Sequence, residues 1–396
     1  MESQPSDPNL SSDVSVAFLA MLPLLLALST SAFAPMLPAP NPMLGSRAAP
    51  PEMVLGKAVS WVRQKASCIK QKIGRVVPSR EAAPAKFAQG FLEFDPYFDK
   101  TNLPKNTFKA KAPFVAKVIS TKKISGPKAN GETWDVVLSH GGDMPYIEGQ
   151  SYGVIPPGVN PKNGKPNSVR LYSIASSRYG DDMTGKTTTL CVKRALYWDP
   201  ELKAFDPAKK GICSNYLCDL KPGDEVLLTG PAGDVMLLPE ENPNADIIML
   251  ATGTGIAPMR TFLRRLFFED TPYARDFKGL AWLFFGVYNS DALLYEDEWQ
   301  TILKKHPGRF RYDKAISEEM KNKDGGNMFV QHKMEEYADE IFDRLEKGAH
   351  MYLCGLRGML PGVQESLKKV AEAKGIDYDE FLKNLKEKGQ WHVEVY

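Results

Sequence analysis

The run Ile247-Ile248-Met249-Leu250, followed by Ala251-Thr252-Gly253-Thr254-Gly255-Ile256-Ala257-Pro258, limits the fold more than any other stretch. Four consecutive apolar residues suit a strand buried on both faces, and the glycines let the chain turn tightly into a helix. Such a turn presents backbone amides and a helix N-terminus, which favour a diphosphate. The pattern is G-x-G-x-x-P rather than the usual dinucleotide fingerprint, so a tight turn without a ligand is the other reading. Downstream, residues 280–287, 310–316 and 350–354 read as further strands, with helical stretches at 259–268, 293–305, 329–347 and 363–374. This alternation predicts a doubly wound parallel sheet, finished by a strand within Trp391-His392-Val393-Glu394-Val395-Tyr396. Ligands of such sheets gather at the carboxyl ends of the strands, where Gly253 to Gly255 and Cys354-Gly355-Leu356 fall. The Cys354 thiol is either inert packing or part of a substrate-facing loop.

Upstream the pattern changes to short β-rich runs broken by glycine and proline, at 114–120, 133–139, 151–155, 169–174, 187–197 and 225–228. That spacing predicts a small antiparallel barrel, interrupted by a polar loop at 199–210. One run carries Arg170-Leu171-Tyr172-Ser173 and then Ile174-Ala175-Ser176-Ser177. A guanidinium can grip a diphosphate in a fork and a phenol ring can lie on a flat cofactor. Alone, these residues also suit an ordinary amphipathic strand. Gly211-Ile212-Cys213-Ser214 offers a second cradle, because glycine lets backbone approach a phosphate and Ser214 can donate a hydrogen bond; a plain loop is the alternative.

With 396 residues, 43% of them apolar, the chain can bury two cores. Residues 1–85 carry 8 basic and 5 acidic side chains, leaving 42 and 43 for the remainder, so the folded body is near neutral and nucleic-acid binding is not expected. The five cysteines (Cys68, Cys191, Cys213, Cys218, Cys354) lack metal-site spacing, so no metal is expected and reduced thiols are. No internal repeat is present.

Residues 16–28 form an apolar run of signal-peptide length, ending in Ser29-Thr30-Ser31-Ala32 before Phe33-Ala34-Pro35. A signal-peptide-like segment at 1–32 and a basic transit-peptide-like or linker segment at 33–86 resemble the bipartite leaders of algae with complex plastids. The absence of lysine and arginine before the apolar run departs from a signal peptide, and a buried helix or membrane anchor is the alternative. Residues 53–73 suit a basic amphipathic helix able to lie on a membrane surface.

Arg170 to Ser173, Cys191-Val192-Lys193-Arg194, Gly211 to Cys218, Ala251 to Pro258, Tyr352 to Leu356 and Trp391 to Tyr396 together resemble plant-type ferredoxin-NADP+ reductases, in order and spacing, from about residue 108 to 396. The resemblance implies an antiparallel six-stranded FAD-binding barrel (108–241) followed by a Rossmann-like parallel-sheet NADP-binding domain (242–396), a β plus α/β fold. It implies that Arg170 and Ser214 hold the FAD diphosphate, that Tyr172 and Tyr396 cover the two flavin faces, and that Tyr197 stacks on the adenine. Further FAD contacts are implied for Leu171, Ser173, Cys191, Val192, Lys193, Gly211, Ile212, Cys213 and Thr254. Contacts to NADP are implied for Thr254, Gly255, Val287, Tyr288, Ser317 and Glu318, and for Asn327, Phe329, Gln331, Gly355, Leu356 and Glu394. Ser173, Cys354, Glu394 and Tyr396 would surround the hydride-transfer position.

The implied reaction takes electrons singly from reduced ferredoxin to FAD and then passes a hydride to NADP+. An acidic ferredoxin or flavodoxin would dock on a lysine-rich face at Lys105, Lys109, Lys111, Lys117, Lys122, Lys123 and Lys128, extended by Lys162 and Lys165. The family address is the plastid stroma, with peripheral association at the thylakoid or photosystem I. One stretch departs from the family pattern: the 2'-phosphate pocket keeps Ser317 but has Glu318, Asn327 and Phe329 where the family has arginine, a second basic residue and tyrosine. A carboxylate beside a phosphate is repulsive, whereas it can accept from a 2'-hydroxyl, so NAD is the alternative to NADP unless Lys321 or Lys323 compensates. The rival functions are an NADH-using or reverse-direction reductase and a non-catalytic, membrane-tethered ferredoxin-binding scaffold.

Overall fold

The computed structural model describes residues 103–160, 163–201, 203–206 and 209–396, all within one compact unit. The leader segments 1–32 and 33–86, the amphipathic stretch 53–73 and Lys162 lie outside the described residues.

The first half is a six-stranded antiparallel sheet of β1 (Phe114–Lys123), β2 (Thr133–Ser139), β3 (Ser151–Ile155), β4 (Arg170–Ser173), β5 (Thr187–Lys193) and β8 (Glu225–Ala232). Its strand order is β4-β3-β8-β1-β2-β5, and an Ile174–Leu190 bridge joins the two outer strands, which closes the barrel. Alternate residues point inward. Ala116 and Val118, Val136 and Leu138, Tyr152 and Val154, Leu190 and Val192, and Val226 and Leu228 fill the interior.

Three expectations from the sequence differ from the structure in this half. The strand expected at 187–197 stops at Lys193, and the loop expected at 199–210 is a hairpin of β6 (Tyr197–Asp199) and β7 (Ala204–Asp206). Trp198 and Phe205 pack edge to face at 5.3 Å across it, while Lys209 bridges Asp199 and Asp206 at 3.4 and 3.2 Å. Gly211 to Ser214 is neither loop nor bare cradle but the start of helix α1 (Ile212–Asp219), capped by Gly211.

The second half is a parallel sheet of β9 (Ile247–Thr252), β10 (Ala281–Val287), β11 (Phe310–Ile316), β12 (His350–Gly355) and β13 (Trp391–Val395), in the order β11-β10-β9-β12-β13. Strands 9 and 10 read as continuous apolar runs because helices cover both faces. One face packs on α2 (Ile256–Phe267), α3 (Pro272–Asp276) and α4 (Glu296–Lys305); the other packs on α5 (Val330–Glu335), α6 (Ala338–Glu346), α7 (Met359–Ala373) and α8 (Tyr378–Glu387). The chain order reverses between β9 and β12, so the loops leaving their carboxyl ends part and leave a crevice. The single helix expected at 329–347 is two helices. Tyr337 leaves helical geometry at φ −124° because its ring packs on Trp282 at 5.2 Å and its hydroxyl donates to Asp313 at 3.2 Å.

A partly buried polar contact joins the barrel to the α/β half. The Tyr295 hydroxyl donates to Asp135 of β2 at 2.5 Å, and Arg260 lies 4.3 Å over the Tyr295 ring while bonding Glu298 and the Ala175 carbonyl. Tyr295 holds a left-handed φ of +58°, a strained conformation for a bulky residue that this clamp maintains. Burial raises the Asp135 carboxyl from 3.8 to about 6. A raised carboxyl pKa means that the associated stability is complete below the unfolded value and is lost as pH rises through the folded one. The melting temperature of Asp135→Asn minus that of the parent should therefore climb between about pH 4 and pH 7. A pH-independent difference in thermal scans would refute this.

Candidate active site

Four residues of β4 and the start of α1 form the walls of a cleft of about 1070 Å³. Pairing with β3 sets Leu171 opposite Gly153 and Tyr172 opposite Tyr152, so Leu171 faces outward and Tyr172 leans on the barrel core. Arg170 is exposed; its Nη1 donates to the Ser168 hydroxyl at 2.5 Å and the Val169 carbonyl at 3.1 Å, so one nitrogen of the fork is engaged locally, and Nη2 and Nε have no partner among the described residues. Lys193 and Arg194 add cationic charge on the neighbouring wall. The N-terminus of α1 has no side-chain cap and no acid in its first turn, so its amides remain available. Ser214 accepts from the Ala195 amide at 3.1 Å, which leaves its own proton to donate into the cleft. Burial raises the Tyr172 phenol, whose hydroxyl meets the Cys213 thiol.

At the other end of the cleft three strands converge. Parallel pairing puts Cys354 of β12 beside Glu394 of β13, and the Ser173 hydroxyl at the end of β4 hydrogen-bonds the Cys354 thiol. Cys354 is 1% exposed; burial pushes its thiol up to about 12, Glu394 reinforces this, and Ser173 partly offsets it. The thiol is therefore neutral at physiological pH. Burial also raises the Glu394 carboxyl, and Asp234 adds to the effect. Tyr396 bonds Thr254 through its hydroxyl at 2.7 Å and is anchored by its amide to the Gly355 carbonyl at 2.9 Å.

The G-x-G turn does begin a helix, as a single 3₁₀ turn (Gly253–Gly255) leading into α2. Its second glycine is demanded by packing, because a Cβ on Gly255 would lie 2.1 Å from the Cys354 carbonyl oxygen. Gly355 answers from the opposite loop at φ +121°, where a Cβ would lie 2.2 Å from Thr252 Oγ1.

A second cleft of about 440 Å³ is lined by Thr254, Val287, Tyr288, Ser317, Phe329, Gln331 and Leu356. Asn130, Gly131, Lys193 and Thr254 line both clefts, so the two spaces meet there. Several expected contacts stand elsewhere. Val192 points into the barrel core, and Tyr197 lies outside the wall with Lys209 4.8 Å over its ring, whereas Leu196 and Phe205 are on the wall. Gly255, Glu318, Asn327, Gly355 and Glu394 do not line the second cleft. Sequence reasoning missed Ser125, Ala129, Asn130 and Gly131, barrel residues that face it. Their signal was the Ala129-Asn130-Gly131 turn, which nothing local ties to a nucleotide.

A closed barrel and a parallel sheet that share two joined clefts, one rich in phosphate-binding groups and aromatic rings, define a flavin- and nicotinamide-dependent oxidoreductase. Residues 249–365 match the oxidoreductase NAD-binding domain family. The chain is 58% identical over 318 residues to the chloroplastic embryo isozyme of ferredoxin–NADP reductase from Oryza sativa subsp. japonica, covering 80% of this chain and 83% of that one. It is 55% identical over 320 residues to the chloroplastic ferredoxin–NADP reductase of Chlamydomonas reinhardtii, covering 80% and 87%. Among solved structures, ferredoxin-NADP+ reductase from Plasmodium falciparum with 2'P-AMP matches with a TM-score of 0.59 at 27% identity, covering 74% of this chain and 100% of that one. The chain belongs to the ferredoxin–NADP reductase family.

Proposed function

We propose that this enzyme takes electrons one at a time from reduced ferredoxin and delivers them as a hydride to NADP+. The observation that carries the reading is the meeting of Ser173, Cys354, Glu394 and Tyr396 at one end of the first cleft, with Tyr396 bonded to Thr254, which lines both clefts. The first cleft suits FAD in size and donor set. Arg170, Ser214 and the α1 amides would hold the diphosphate, with Tyr172 and Tyr396 on the two ring faces. When bound, FAD supplies a redox centre that accepts electrons singly and releases them as a pair. Leu196 and Phe205 are the apolar groups suited to the far end of the cofactor, in place of Tyr197. In the second cleft, Tyr288 and Phe329 present exposed rings to a nucleotide base, and Ser317, whose hydroxyl donates to the Tyr288 carbonyl at 3.3 Å, is the lining hydroxyl assigned to the 2'-phosphate.

The chain's own groups act by position and charge. Ser173 orients the Cys354 thiol, the neutral thiol keeps negative charge away from an arriving hydride acceptor, and Glu394 holds a proton close by. Tyr396 closes the site until a nicotinamide displaces it. The purified protein should show a flavin absorbance spectrum that bleaches with NADPH and reduce NADP+ when given reduced ferredoxin. A colourless protein after FAD reconstitution, or a strong NADH preference, would overturn the reading.

Ferredoxin docking is assigned to the lysine-rich face. Lys105 pairs with Asp234 and Lys123 with Glu132, while Lys109, Lys111, Lys117, Lys122, Lys128 and Lys165 are exposed. Lys117→Glu with Lys122→Glu should slow association with ferredoxin about tenfold at low salt, and the difference should shrink by 0.5 M salt, roughly, in stopped-flow traces. An association rate unchanged at low salt would move the docking site elsewhere. The proposed address is the plastid stroma, with peripheral thylakoid or photosystem I contact; the chloroplastic relatives support the plastid part.

A further inference from the structure

We propose that Lys321, four residues beyond Ser317, supplies the positive charge for the ribose 2'-phosphate, with Asn327 as its partner. The inference rests on the NADP reading above. The pocket otherwise presents a charge problem: Glu318 is exposed next to Ser317, and neither Asn327 nor Phe329 carries charge.

The backbone resolves it. After Ser317 the chain folds into a short hairpin in which Lys321 pairs with Asn327, closed by the Asn322 amide donating to the Gly326 carbonyl at 2.9 Å. This hairpin is braced internally. Asn322 Oδ1 accepts from the amides of Asp324 and Gly326 at 3.0 and 2.9 Å, and Asn322 Nδ2 reaches His332 of α5 at 3.3 Å. The bracing carries the lysine back towards the cleft edge, where Met328 and Phe329, next in the chain after Asn327, form part of the wall. There Lys321 Nζ donates to Asn327 Oδ1 at 3.2 Å, and Asn327 Nδ2 donates to Glu318 Oε1 at 3.4 Å.

The result is a row of ammonium, amide and carboxylate that runs from Lys321 through Asn327 to Glu318, the residue after Ser317. An amide oxygen is a weak partner for an ammonium compared with a phosphate, so a dianion arriving at Ser317 gains Lys321 at little cost. Asn327 Nδ2 can then turn from Glu318 to a phosphate oxygen, and Glu318, already in water, can rotate outward. Lys323 does not share this role. It is exposed and paired with Glu335 at 2.8 Å, turned towards α5.

The test is titration calorimetry of the FAD-loaded enzyme with 2',5'-ADP and with 5'-ADP, which differ only in the 2'-phosphate. Lys321→Met should weaken 2',5'-ADP about tenfold and leave 5'-ADP unchanged. Lys323→Met should match the parent for both, and Glu318→Gln should tighten 2',5'-ADP alone. Parental binding of 2',5'-ADP by Lys321→Met, with an unchanged melting temperature and flavin content, overturns the assignment. Equal loss in Lys321→Met and Lys323→Met also overturns it, because it reports general charge. A parent that binds the two ligands equally removes the NADP reading itself, and Lys321 with it.

Discussion

Gly255→Ala is expected to lower the rate of hydride transfer about 100-fold while the protein still binds flavin. The added methyl would meet the Cys354 carbonyl oxygen at 2.1 Å, its carbon at 2.4 Å and the Gly355 Cα at 2.7 Å, all of them backbone atoms. No rotamer change relieves such contacts; one loop must retreat, and Cys354 moves with it. The Gly355 loop is tied on its other side, because the Leu356 amide donates to Thr252 Oγ1 at 2.6 Å. Overpacking of this sort costs about 1–3 kcal/mol, so the melting temperature should fall by several degrees. Arg170, Tyr172 and Ser214, which stand on other elements, should keep the flavin spectrum intact. Gly358→Ala is the control for melting temperature alone: its Cβ would enter open space at φ −61°, but that space belongs to the second cleft. A Gly255→Ala protein with parental melting and parental single-turnover rate would show that the two loops do not set the reaction geometry.

Glu394→Gln should cost about 100-fold in hydride transfer, near the lower bound for a positioned proton-transfer group. The amide keeps the shape and some hydrogen bonding of the carboxyl but can neither hold nor release its proton. Burial and Asp234 raise the Glu394 pKa, so its protonated form persists to higher pH than that of an exposed glutamate. The parent rate should accordingly show a pH limb above the ordinary glutamate range, and the variant should lose that limb. Glu394→Gln lies on β13, away from Arg170 and α1, so flavin content should not change. Stopped-flow reduction by NADPH across pH reads both effects; an unchanged rate with the same pH limb would exclude Glu394 from the chemistry.

Sequence periodicity conveyed the sheets well where one physical rule governed a segment. Residues 133–139, 151–155 and 310–316 were legible end to end, because alternation or continuous burial leaves little freedom in register. The failures occurred where distant packing decided the outcome. Nothing local shows that Tyr337 will be drawn to Trp282 and split a helix, or that Trp198 will find Phe205 across a polar connection. Helix α1 went unread because its glycine, cysteines and serine have no clear apolar period, although they do show that something is gripped there. The proposed site groups could be named from motifs that carry the family resemblance. Their convergence could not be read from spacing, since Ser173, Cys354 and Glu394 meet only through the order of strands in two sheets. The pocket around Ser317 is the reverse case: the anomaly of Glu318 is plain in the sequence, and only the hairpin geometry supplies a remedy.

Strand β13 has one neighbour, β12, and forms an outer edge of its sheet. Edge strands open locally at far lower free energy than central ones, without disturbing the rest of the domain. Tyr396 extends from that edge, and the bonds that hold it are those to Gly355, Arg357 and Thr254. On the proposed placement of Tyr396, exposing the flavin face calls for fraying of the last residues of one strand, with β9 and β12 left in register. Gating and catalysis thus have separate thermodynamic origins: a softly held rim admits the nucleotide, and an interlocked pair of glycine loops beneath it keeps the reacting atoms in place.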